Sequence, residues 1–259
     1  MKRALLILML ALGCRGRPQP PLTTAFLSLG APSSSERHAA VRALDDLAAR
    51  VQARLRAGAA PADALNGVVF EELKFQREVN DRDLRFMRLP LVLADHRGSC
   101  LGLGALYLAL GERLGVKVDG VLVPGHFFVR VSDRNVELLR RGEQMPDSWY
   151  RERYEVPAEG APAYLRPLAP AEIMAVFDYN IGNDLRLQGR FVEAAVAYRR
   201  AIAAFPQMAE AHASLGLVRH LSGALKEAEQ AYLAARAVNP HLPGLENNLT
   251  VIREEMRRK

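Results

Sequence analysis

Apolar residues recur at helical spacing in the first part of the chain. Between Ser33 and Gly58, Ala40, Val41, Leu44, Leu47, Ala48, Val51 and Leu55 fall at steps that line one buried helix face. Ser33 and Glu36 stand at capping-box spacing before that run, and Gly58 closes it. Pro61 opens a second helix, to about Leu73. The charged stretch from Phe75 to Leu89, with Asn80-Asp81 as a turn signal, predicts a loop with a short helix. Leu91 to Asp95 adds a helical turn that Arg97-Gly98 breaks. Ser99 is then an N-cap for a helix reaching Leu114 and stopped by Gly115. Cys100, Leu103, Tyr107, Leu110 and Leu114 fall at offsets 0, 3, 7, 10 and 14, which puts a cysteine in the first turn of that helix, on its core-facing stripe.

The pattern then changes from helical to alternating. Val116 to Val123 predicts a strand, Pro124-Gly125 a turn, His126 to Val131 a second strand and Asn135 to Leu139 a third. Alternation places His126, Phe128 and Arg130 on one face, and Phe127, Val129 and Val131 on the other. A helical half followed by an antiparallel meander gives an α+β domain.

Beyond Pro167 and Pro170 the chain repeats itself. Gly182 and Gly216 are 34 apart, as are Gly189 and Gly223, Ala194 and Ala228, Tyr198 and Tyr232, Ala201 and Ala235, and Pro206 and Pro240. Small residues where helices cross, and proline after the second helix, resemble tetratricopeptide repeats. Asn248 lies 34 beyond Ser214, so the last helix, to Arg258, caps the array. Two repeats and a cap form a short all-α solenoid that leans on the preceding domain, because about three units are needed for independence. Its concave face suits a protein or peptide partner, and a structural buttress is the alternative.

The N-terminus bears on compartment. Lys2 and Arg3 precede ten apolar residues, Ala4 to Gly13, too few to span a bilayer but enough for a signal-peptide core. Ala11-Leu12-Gly13-Cys14 resembles the bacterial lipobox, although Ala11 stands where leucine is usual. The reading is a signal peptide over 1–13, lipidation of Cys14, a Pro- and Ser-containing tether over 14–32 and a bacterial envelope location. Simple cleavage nearby is the alternative. Loss of Lys2 and Arg3 takes the net charge from +6 to 6 − 2 = +4. Basic residues are interspersed with acidic ones, as in Arg151-Glu152-Arg153, so no nucleic-acid stripe is expected. With Cys14 lipidated, Cys100 is an unpaired thiol, either buried and inert or kept for chemistry.

Thiol and imidazole together are the minimum for cysteine nucleophilic catalysis. Leu93, Arg97-Gly98-Ser99-Cys100, Gly102-Leu103, Leu106-Tyr107-Leu108, Leu114-Gly115 and Pro124-Gly125-His126-Phe127-Phe128-Val129-Arg130 together resemble the transglutaminase-like proteins of the SirB type. The resemblance covers roughly residues 36 to 168, so a transglutaminase-like domain is expected over 33–168 and the repeats over 169–259. It implies a papain-like core with Cys100 as nucleophile, His126 as acid–base and the Cys100 N–H as an oxyanion donor. Relatives carry an acid or amide on the following strand, and Asn135-Val136-Glu137 fits that position. A loop over Arg130 to Asp133 puts Glu137 opposite His126, whereas a turn at Asp133-Arg134 puts Arg141 there. Glu137 is preferred and Asn135 is second. No cofactor is expected, and His96, Cys100 and His126 lack the spacing of a zinc site. Trp149, Tyr150 and Tyr154 are either a lid over the cleft or core or edge packing. Two functions stand: a cysteine acyl-transfer enzyme, or a catalytically silent fold that serves with the repeats as a protein-binding scaffold.

Overall fold

The computed structural model describes residues 21–78, 83–159 and 161–258. The expected signal peptide and Cys14 lie outside the described residues. In the N-terminal domain most helices lie on one side of a small antiparallel sheet, and one short helix packs on its other face. Helix α1 (Leu22–Ser28) precedes α2 (Ser34–Arg56), whose capping box pairs the Ser33 hydroxyl with the Glu36 N–H and the Glu36 carboxylate with the Ser33 N–H. Helix α3 (Pro61–Asn66) starts on its proline and runs on as a π-helical stretch over Gly67–Glu72. A pair of two-residue parallel strands, β1 (Gln76–Arg77) and β2 (Arg97–Gly98), brackets a 3-10 turn (Leu84–Met87) and α4 (Leu89–Asp95).

Helix α5 (Cys100–Leu114) is central. Ser99 caps it by accepting the Gly102 N–H at 3.3 Å, and Gly115 ends it in the left-handed region with φ 65°. It is not amphipathic as the spacing suggested: every residue from Leu101 to Gly111 is buried, because the sheet, α1, α2 and α4 pack around it. Two glycines permit that closeness. A Cβ on Gly102 would lie 2.0 Å from the Phe86 carbonyl oxygen, and one on Gly104 2.5 Å from the Phe127 ring.

Strands β3 (Val118–Val123), β4 (His126–Val131) and β5 (Arg134–Val136) form an antiparallel meander. Val123 pairs with His126 across the Pro124-Gly125 turn, where Gly125 has φ 68°. Phe127, Val129 and Val131 join the main core, whereas Val121, Val123 and Phe128 pack on Tyr150 across the other face. The third strand differs from both expected registers. Val131 pairs with Arg134, so the turn is Ser132-Asp133, with Ser132 in the left-handed region. The strand stops at Val136, and a 3-10 turn over Leu138–Arg140 replaces its expected end.

After α6 (Asp147–Arg153), residues 161–168 return along β3, with Leu165 N–H on Leu122 O and Leu168 N–H on Gly120 O. They deliver the chain to a helical region: α7 (Pro170–Leu187), α8 (Phe191–Ala204), α9 (Ala209–Leu221), α10 (Leu225–Val238) and α11 (Leu245–Arg258). Each packs on the next. Gly182 abuts the Tyr198 ring, and 34 residues on Gly216 abuts the Tyr232 ring in the same way.

The expected tether gives way from Leu22 onward. Glu112 on α5 accepts the N–H groups of Leu22 and Thr23 at 2.9 Å each, and Phe26 is buried against Phe177 with ring centroids 5.2 Å apart. Composition hid this helix because its support is non-local. Phe26→Ala is expected to cost about 3–5 kcal/mol, read as a lower urea midpoint. An unchanged midpoint would leave this segment a tether.

Candidate active site

The cysteine and histidine meet because two local rules act on different elements. The Ser99 cap starts α5 one residue before Cys100, and the Pro124-Gly125 turn starts β4 at His126. Cys100 is half-buried and His126 is buried. Glu137 accepts a hydrogen bond from Nε2 of His126 at 2.7 Å, inside the protein. With Nε2 so engaged, Nδ1 is the nitrogen left for the thiol.

Register explains how Glu137 arrives there. Pairing of Val129 with Val136 ends the ladder, and its next step would set Glu137 opposite Phe128, on the face that also carries His126. The carboxylate therefore reaches His126 along a diagonal of the sheet rather than straight across. A backbone donor steadies it: Leu139 N–H reaches Oε1 at 2.9 Å. Asn135 shares that face but lies two residues farther from His126. Its amide is taken up elsewhere, accepting from Arg130 at 2.7 Å and donating to Asp147 at 2.7 Å and to Met145 O at 3.0 Å. Arg141, the residue of the other register, instead donates to Phe70 O.

Electrostatics favour the charged imidazole. Burial works against the imidazolium, but hydrogen bonds with Cys100 and Glu137, and the negative charge each can carry, push His126 up from 6.5 to about 9. Tyr154 stacks on the ring, with centroids 4.6 Å apart and planes 6° apart. Burial, then the Glu137 charge, moves the Tyr154 phenol up to about 12, so it stays neutral over the imidazole. Tyr150 packs on Phe128 at 3.8 Å, and burial followed by the same charge carries its phenol well above the ordinary range. The aromatic segment is thus both things the sequence allowed: Tyr150 is core, and Tyr154 covers the histidine.

His96 is not part of this group. It stacks on Phe75 at 4.4 Å, and its Nδ1 lies 3.2 Å from Leu73 O. Among the described residues no group of three His, Cys, Asp or Glu side chains is placed so that it could hold a metal ion.

A cavity of about 260 Å³ holds Cys100 and His126. The C-terminal helices supply much of its wall, through Val176, Tyr179, Asn180 and Asn183 of α7 and Glu210 of α9. These residues lie roughly 80 to 110 positions from Cys100, and no motif near the cysteine signals them. A larger groove of about 560 Å³, between 154–159 and 239–243, contains neither the thiol nor His126.

The sequence profile of the transglutaminase-like superfamily matches residues 38–176, ending within α7. A UPF0162 protein of Pseudomonas aeruginosa is 31% identical over an alignment of 183 residues, and the match covers 66% of this chain and 67% of that one.

The raised His126 value sets a pH window for stability. Between pH 6.5 and about 9 the folded protein keeps a proton on His126 that the unfolded chain has lost. The stabilisation is complete below 6.5 and is lost as pH rises through 9. The decline is at most ~1.4 kcal/mol per pH unit. Urea midpoints across that window should fall with pH in the native protein and more shallowly in Glu137→Gln.

Proposed function

The chain belongs to the transglutaminase-like superfamily, and on that premise we propose that it is a cysteine-dependent acyl-transfer enzyme acting on amides. The observation that carries this reading is the buried Glu137–His126 hydrogen bond at 2.7 Å, with Cys100 against the same imidazole. A scaffold has no need of that arrangement, since an inert thiol is stable without a charged partner.

Each residue takes a role from its position. His126 accepts the Cys100 proton through Nδ1, while Glu137 fixes the ring and balances the imidazolium. The first turn of α5 favours the anionic sulfur, because helix amino ends carry unsatisfied N–H groups and partial positive charge. The sulfur attacks the amide carbonyl and forms a C–S bond. The Cys100 N–H donates to the oxyanion that develops. The C–N bond then breaks, and the amine leaves with the proton His126 held. Water or a second amine attacks the thioester, gives His126 a proton and frees the thiol. The first outcome is hydrolysis and the second transamidation.

The helices after Pro170 we read as tetratricopeptide repeats that bind a protein or peptide partner. What supports this is the 34-residue recurrence of the glycine–tyrosine contacts. Export and lipid anchoring at Cys14 complete the proposal, supported by the Ala4 to Gly13 run and the small residues before that cysteine.

The test is Cys100 alkylation by iodoacetamide as a function of pH. The expected profile keeps fast labelling well below the ordinary thiol pKa of about 8.5. His126→Ala should slow labelling near neutral pH by roughly 10²-fold or more. Labelling only on unfolding, or a rate indifferent to His126, would overturn the enzyme reading and leave the scaffold.

A further inference from the structure

The mechanism uses Cys100, His126 and Glu137, yet the cavity that Cys100 and His126 line contains another ionisable group. Glu210, in the first turn of α9, is the one carboxyl side chain among the described residues lining it. Its Oε1 accepts a hydrogen bond from the Tyr164 hydroxyl at 2.5 Å. Its Oε2 is enclosed and has no hydrogen-bond partner among the described residues. Burial pushes this carboxyl up, with the Tyr164 hydrogen bond opposing, and no cationic side chain among the described residues offsets the burial.

The neighbouring polar groups do not relieve it. Asn180 donates its amide nitrogen to Val176 O at 2.8 Å, and the amide oxygen of Asn183 accepts from the Tyr198 hydroxyl at 2.8 Å. An enclosed acceptor with no donor is unfavourable. A carboxyl without a cation inside a low-dielectric wall is more so. The helix amino end and Tyr164 serve one side of Glu210 and leave Oε2 in the cavity wall, enclosed and without a donor among the described residues.

We propose that Glu210 is a specificity-determining residue that binds an alkylammonium group of the acyl donor while Cys100 attacks its carbonyl. The proposal rests on the acyl-transfer reading and adds a substrate class to it: donors with a primary amine near the reactive carbonyl. The cavity, at about 260 Å³, falls just below the usual range for drug-sized ligands, so it suits a single small group. An amino terminus and a lysine-like side chain share the ammonium, and they differ in its distance from the carbonyl.

Methanethiosulfonates test this on the whole chain with Cys100 as reporter. The thiolate attacks the sulfenyl sulfur, a mixed disulfide forms and methanesulfinate leaves. Aminoethyl, aminobutyl and aminohexyl reagents are each compared with the uncharged alkyl reagent of equal length. At one length or more the cationic reagent should react faster, by roughly tenfold beyond the ratio shown by free N-acetylcysteine. A short preferred spacer identifies an amino-terminal donor, and a long one a lysine-like donor. Glu210→Gln keeps an acceptor for Tyr164, and its charge ratio should fall to that of the free thiol. Equal ratios in both proteins at every length would overturn the proposal.

A second measurement needs no variant. Butylammonium chloride should slow labelling by the uncharged reagent where butanol and potassium chloride do not, and absence of that protection also counts against Glu210. Failure of the acyl-transfer reading shows separately, as an uncharged-reagent rate unaltered by His126→Ala. The charge ratio remains readable in that case.

Discussion

A carboxylate buried beside an imidazole is the constraint on which the site depends. Glu137 would be costly inside the protein alone, because burying an unpaired charge is expensive. Two contacts and a bend make its position tenable: Nε2 of His126, the Leu139 N–H, and the turn that ends β5 after Val136. Had the strand continued straight, Glu137 would have faced Phe128 in a regular ladder. By stopping the strand, the 3-10 turn both frees the side chain to reach His126 and supplies the N–H that steadies it. Tyr154 and Tyr150 then close the hydrophobic side, which strengthens the pair by excluding water.

The same economy governs α5. Its amino end must hold the thiol at the cavity while the rest of the helix passes through the core. Glycine at 102 and 104 allows the backbone to approach the 3-10 turn and Phe127 closely, so the helix is pinned on opposite sides. Cys100 is therefore placed by packing as much as by its cap. The C-terminal helices extend this arrangement, since α7 and α9 form a wall that the N-terminal layers leave open. Boundaries drawn from sequence similarity at residue 176 cut through α7, one of the elements that shape the cavity.

What could be read from the chain followed from local signals. The Ser99 cap, the Gly115 stop, the Ser33–Glu36 box and the Pro124-Gly125 turn act within a few residues, and the structure has all four. The face shared by His126 and Glu137 followed from period-two alternation. Their register did not, because Ser132 adopts a positive φ that its side chain does not announce. Helix α1 was invisible for another reason: it has only seven residues and no side-chain cap of its own. Glu112, some ninety positions away, receives its first N–H groups. The cavity wall was equally illegible, since Glu210 and Asn180 gain meaning only when α7 and α9 fold back on the thiol.

Docking of α1 also sets a reach. With the chain clasped by Glu112 from Leu22, only the seven residues 15–21 remain between that clasp and Cys14. Fully extended, they span at most about 25 Å. Under the anchoring proposed above, the catalytic domain would ride close to the lipid headgroups on a short leash. It would act on substrates at the membrane surface and could not sweep a deep layer of the surrounding space.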